Sequence, residues 1–116
     1  MVMPWLFSKI FRKQYPEKAK HIKENLTKHY LTRNSTAFER QLNANIKHDT
    51  RGRLHQIKIP TLILTGRDDE LTPPIMAEEL HSEIPDSKLR IFDQGGHGLY
   101  WEVPELFNES VINFIK

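Results

Sequence analysis

Two short stretches of this 116-residue chain hold the side chains best suited to proton chemistry. Gly66-Arg67-Asp68-Asp69-Glu70-Leu71-Thr72-Pro73-Pro74 supplies carboxylates, and Asp93-Gln94-Gly95-Gly96-His97-Gly98 supplies one imidazole among glycines. A carboxylate that accepts a hydrogen bond from one imidazole nitrogen fixes the tautomer and stabilises the protonated ring. The other nitrogen is then free to act as a general base. Glycines beside His97 let the backbone turn sharply and give the ring a clear approach to a substrate. On spacing alone, a merely solvated acidic loop and a histidine serving only as a turn residue remain open.

The elements that must position these loops follow from apolar periodicity. Thr61-Leu62-Ile63-Leu64-Thr65 is a continuous run bounded by Pro60 and Gly66, as expected of a strand buried on both faces. Lys88-Leu89-Arg90-Ile91-Phe92 is a second strand with partial alternation. Between them, Thr72-Pro73 reads as an N-cap and first-turn proline, and Met76, Leu80 and Ile84 stripe the helix that follows. A last helix is expected from near Pro104, burying Phe107, Val111, Ile112 and Ile115. Strand, helix, strand, helix predicts an α/β fold with a parallel strand pair. Both loops then lie beyond the carboxyl ends of adjacent strands, where open parallel sheets bind their ligands. Two parallel strands do not make a stable sheet alone. The sequence thus describes one end of a larger doubly wound sheet, completed by another chain or by self-association.

Residues 1–56 read as helices. Pro16 suits a first helical position, with Ala19, Ile22, Leu26 and Tyr30 at spacings of three and four. Asn34-Ser35 breaks that helix, and Thr36-x-x-Glu39 is a capping box for the next, striped by Phe38, Leu42 and Ile46. Trp5, Phe7 and Phe11 are spaced as a helical apolar stripe, suited to roofing a pocket, to a core or to an oligomer contact. Gly52 and a short turn carrying Leu54 and Ile57 lead into the α/β part, 57–116.

The segment from Ile59 to Asp69 followed by Thr72-Pro73-Pro74 resembles the part of an α/β-hydrolase that ends in the acid of its Ser-His-Asp triad. Asp93 to Gly98, followed by Glu102-x-Pro104-Glu105 and an apolar closing helix, resembles the part carrying the triad histidine. The order acid then histidine matches that family. The resemblance implies Asp69 as the acid, with Asp68 the alternative, and His97 as the base. It also implies a helical cap-like segment over 1–56, similar to caps of esterases, enol-lactone hydrolases and perhydrolases, and an ester or lactone substrate. Tyr100 and Trp101 could line the substrate pocket or pack the start of the last helix.

The nucleophile elbow of that family, G-x-S-x-G, is missing: none of Ser8, Ser35, Ser82, Ser87 and Ser110 has glycines two residues before and after. The expectation is a truncated hydrolase with an incomplete triad, at most weakly active alone, needing a complementing N-terminal fragment. The alternative is an inactive module that self-associates as a homo-oligomer through its sheet edge and cap helices.

Composition narrows the field. With no cysteine, thiolate metal sites, disulfides and cysteine nucleophiles are excluded. His21, His29, His48, His55 and His81 lack metal-ligand spacing, and no cofactor is expected. There is no membrane-length apolar run and no basic region preceding an apolar signal, so a cytoplasmic protein is expected. Residues 1–58 hold 13 Lys and Arg against four Asp and Glu, and residues 59–116 hold four against 11. The basic side chains are scattered among helix formers, which favours a solvated helical face complementing the acidic half over nucleic-acid binding.

Overall fold

The computed structural model describes residues 4–28 and 35–116. Tyr30, His29 and Asn34 lie outside them. A 3₁₀ turn, Pro4–Leu6, precedes α1 (Lys9–Gln14) and α2 (Pro16–Lys28). Then follow α3 (Ser35–Lys47), a 3₁₀ turn (Leu54–Gln56), β1 (Thr61–Gly66), α4 (Pro74–Glu83), β2 (Ser87–Phe92), α5 (Leu99–Glu102) and α6 (Pro104–Ile115).

β1 and β2 pair in parallel, with Thr61 opposite Ser87 and Gly66 opposite Phe92. The ladder continues past both ends: the Thr61 amide donates to Asp86 O at 2.8 Å and the Arg67 amide to Phe92 O at 2.9 Å. This register brings the two chemical loops out side by side, because equivalent strand ends face one another. α4 crosses over between the strands, and Leu54, Ile63, Ala77 and Ile84 form the buried cluster, with Ile57 and Leu89 packed against it. A second cluster is aromatic. Phe7 stacks on Phe11 (ring centroids 5.1 Å apart) and packs against Trp101 at 5.9 Å.

Several apolar stripes find no cover within the described residues. Met76 is 50% exposed, and only Ala77 and Ile84 anchor α4 and its C-cap to the core. In α6 the buried side chain is Ser110, which bonds Arg90; Ile112 and Ile115, expected inside, are 46% and 73% exposed. The 3.6-residue period identifies a common face but not what lies against it. α2 and α3 carry no buried residue. Trp5, Phe7 and Phe11 are not one helical stripe, since the 3₁₀ turn and the Ser8 N-cap separate them. α3 runs from Ser35, so Thr36 lies inside the described helix rather than at its N-cap.

Candidate active site

Asp69 and His97 meet at the carboxyl end of the strand pair, Asp69 Oδ2 lying 3.1 Å from His97 Nδ1. The loop after β1 turns at once: the Asp69 amide donates to Gly66 O at 3.2 Å and the Asp68 amide to Gly95 O at 3.1 Å. That second bond ties the acid loop to the histidine loop. It is possible because Gly95 takes φ +115°, a conformation costly for any residue with a Cβ.

Asp69 is buried, 8% exposed, and its carboxylate is fully occupied. Oδ1 accepts from the amides of Leu71 and Thr72, each at 2.9 Å. Oδ2 accepts from the Thr72 hydroxyl at 2.9 Å as well as from His97. Burial raises the pKa of this carboxyl. The amide and hydroxyl of Thr72, the His97 ring and the Leu71 amide outweigh that and hold it below its ordinary value of 3.8. An ionised carboxylate can only accept, so Nδ1 carries the proton of the shared bond and Nε2 of the neutral ring is a free acceptor. Thr72 Oγ1 also lies 3.3 Å from Nδ1, where it accepts a second, weaker share of that proton.

The pair opens onto a pocket of about 620 Å³. Its floor is β1 from Ile63 to Gly66; Met76, Ala77 and Leu80 of α4 form one wall, and His48 to Arg51 stand at the rim. The Arg51 side chain and amide hold the exposed Asp49 carboxyl well below the usual carboxylate range. The bidentate Arg51–Asp49 pair (2.9 and 2.6 Å) shapes that rim.

The sequence-derived candidates divide. Asp69 and His97 are brought together, whereas Asp68 Oδ2 is buried with no hydrogen-bond partner. Tyr100 and Trp101 pack against each other at a tilt (centroids 4.4 Å, 43°), with Phe7 against Trp101 and Phe107 against Tyr100, and neither lines the pocket. Thr72 is not the N-cap of α4. Pro73 occupies that place, and the Thr72 hydroxyl serves Asp69 instead. The missed signal is an Asp accepting from amides two and three residues on, the local turn that Asp favours. Trp5, one of the three aromatics suited to roofing a pocket, has a contact that the sequence does not announce: its ring meets the His97 imidazole edge-on at 5.9 Å and 78°. Among the described residues no cluster of His, Asp and Glu could hold a metal ion, and no helix is long and apolar enough to cross a membrane.

Comparison with known proteins identifies the fold family. The alpha/beta hydrolase fold family model matches residues 13–104. The chain belongs to the alpha/beta hydrolase fold family. Over 80 residues it is 38% identical to a 2-hydroxy-6-oxononadienedioate/2-hydroxy-6-oxononatrienedioate hydrolase of Cupriavidus pinatubonensis, covering 67% of this chain and 28% of that one. An alpha/beta hydrolase enzyme from a Medee basin deep-sea metagenome library superposes with a TM-score of 0.79 at 30% identity, over 97% of this chain and 41% of its own. An esterase from Exiguobacterium antarcticum matches with a TM-score of 0.57 at 33% identity, over 60% and 26%. The chain thus spans little more than a quarter of the curated relative's length, and the parallel strand pair is a part of the family's fold.

Proposed function

We propose that Asp69 and His97 are the acid and the general base of a Ser-His-Asp hydrolase whose serine lies on a polypeptide portion complementing this one. The observation that carries this reading is the 3.1 Å Asp69–His97 bond at the edge of the 620 Å³ pocket. In the reaction, His97 Nε2 takes the serine hydroxyl proton as the oxygen adds to a substrate carbonyl, and returns it to the leaving group. Water repeats the sequence to release the acyl group. Asp69 stays ionised throughout and stabilises the imidazolium.

A carboxylic ester or lactone is the substrate class we favour, supported by the 33% identity with the esterase from Exiguobacterium antarcticum. A second reading comes from the dienedioate hydrolases. The compound in their name carries a ketone flanked only by carbon, so hydrolysis there must break a carbon–carbon bond, and the same base would serve. Exposed Met76 and Leu80, beside the open edge of β1, suit the complementing portion or a second copy as the covering surface.

The test compares wild type with His97→Ala on p-nitrophenyl acetate and on a 2-hydroxy-6-oxo-dienoate. Each is assayed alone and together with a G-x-S-x-G-bearing N-terminal portion of a hydrolase of this family. Alone, both should give near-background rates. The complemented wild type should exceed complemented His97→Ala by about 10³-fold or more, and the better substrate decides the class. Equal rates of the two complemented proteins on both substrates would overturn the assignment.

A further inference from the structure

Glu102, in α5, makes no contact with the Asp69 carboxylate yet binds the histidine loop directly. Its Oε1 accepts from the Gly96 amide at 3.0 Å and from the Ser8 amide at 2.7 Å, and Oε2 accepts from the Ser8 hydroxyl at 2.6 Å. One carboxylate therefore joins the residue before His97 to Ser8, which lies 94 positions before Glu102 in the chain. The residue after His97 is held by the same segment, for the Gly98 amide donates to Leu6 O at 2.6 Å. His97 is thus bracketed on both sides by residues 6–8, and Trp5 of that segment touches its ring.

The segment is built for this place. The Ser8 hydroxyl oxygen also accepts from the Phe11 amide at 3.0 Å, starting α1. Phe7, Ser8 and Phe11, at 6%, 3% and 4% exposure, are among the most buried side chains of the described residues. A Cβ on Gly96 would lie 2.6 Å from Ser8 N and 2.9 Å from the Phe7 carbonyl carbon, so only glycine admits so close an approach. One anion serving three donors is a strong arrangement, and removing it leaves amides of buried residues unpaired.

We propose that Glu102 is a positioning residue that latches residues 5–8 onto the histidine loop and so sets the ring orientation in which His97 Nδ1 reaches Asp69 and Trp5 packs against the imidazole. The inference bears on catalysis only through the reading of His97 as base. The test therefore reads the ring itself. In wild type, the His97 imidazole protons should show NOEs to the Trp5 indole, with assignments made through His97→Gln and Trp5→Phe. In Glu102→Ala these NOEs should be lost and the His97 ring resonances should move. In Glu102→Gln they should be retained, because the amide oxygen can still accept from both backbone N–H groups while Ser8 Oγ accepts from the new NH₂. Ser8→Ala removes only the hydroxyl contact and the cap of α1, and should displace the His97 resonances part of the way.

A Glu102→Ala protein with wild-type far-UV circular dichroism and unchanged His97–Trp5 NOEs would overturn the proposal. If that variant does not fold, unchanged His97 resonances in Ser8→Ala would do so. Asp69→Asn separates the two levels. Should it leave the His97 tautomer unaltered, the acid–base reading fails whatever Glu102 does.

Discussion

Replacing Thr72 with valine removes one hydroxyl and almost nothing else, which makes it a sharp probe of the Asp69 environment. Valine matches threonine in shape and branching, and the Thr72 amide still donates to Asp69 Oδ1 at 2.9 Å. What is lost is the 2.9 Å bond from the hydroxyl to Oδ2, whose other contact is His97, together with the weaker 3.3 Å contact between Oγ1 and His97 Nδ1. A hydrogen bond to a charged group contributes about 1.5–3 kcal/mol. Thr72 is solvent-exposed while its acceptor is buried, so the lower end applies, and we expect a loss of about 1.5 kcal/mol. Urea denaturation at pH 7 should show it as a lower midpoint with an unchanged m-value. Because valine cannot replace the bond, the loss should depend on the carboxylate. In a double-mutant cycle with Asp69→Asn the two changes should couple by about 1 kcal/mol. The Thr72→Val effect should persist above pH 4 and fade as Asp69 protonates below its ordinary 3.8, since the folded-state pKa is the depressed one. Strict additivity with Asp69→Asn, or an effect that does not shrink as the pH falls progressively below 3.8, would refute the reasoning.

Three further outcomes follow from the same geometry. Wild type should lose stability on acidification through the range below pH 3.8, and Asp69→Asn should lose less over that range, measured as the difference in urea midpoints between pH 6 and pH 3. Gly95→Ala should destabilise by about 1–2 kcal/mol in thermal or urea unfolding, because its φ of +115° suits no residue with a Cβ. Leu54→Ala should cost about 2–3 kcal/mol, the low end for core truncation, since Leu54 both packs on Ile63 and Ala77 and borders the open pocket.

How far the sequence could be read depended on whether the signal was local. β1 was legible because an uninterrupted apolar run between Pro60 and Gly66 admits few alternatives, and β2 because its ends are marked by Pro85-Asp86 and a glycine loop. From two parallel strands the placement of Asp69 beside His97 follows almost directly, since equivalent strand ends adjoin. Thr72 shows the limit of local reasoning. The same hydroxyl suits a helix cap and an aspartate partner, and only the turn made by Asp69 decides between them. Trp5 against His97 and Glu102 against Ser8 join residues more than 90 positions apart, with no periodicity to announce them. The faces of α4 and α6 were identified correctly as stripes but not as exposed ones. Ile115 at 73% exposure is a face prepared for packing that the described residues do not cover.

The central claim is that Asp69 holds His97 with its proton on Nδ1 and with Nε2 free to act as a base. Long-range ¹H–¹⁵N spectra of the imidazole, recorded above the ring's titration, read this directly. We expect the Nδ1–H tautomer for His97 in wild type and a shift toward Nε2–H in Asp69→Asn, whose side-chain NH₂ would face Nδ1. A wild-type His97 carrying its proton on Nε2, or one whose tautomer ignores the Asp69→Asn change, would contradict the account.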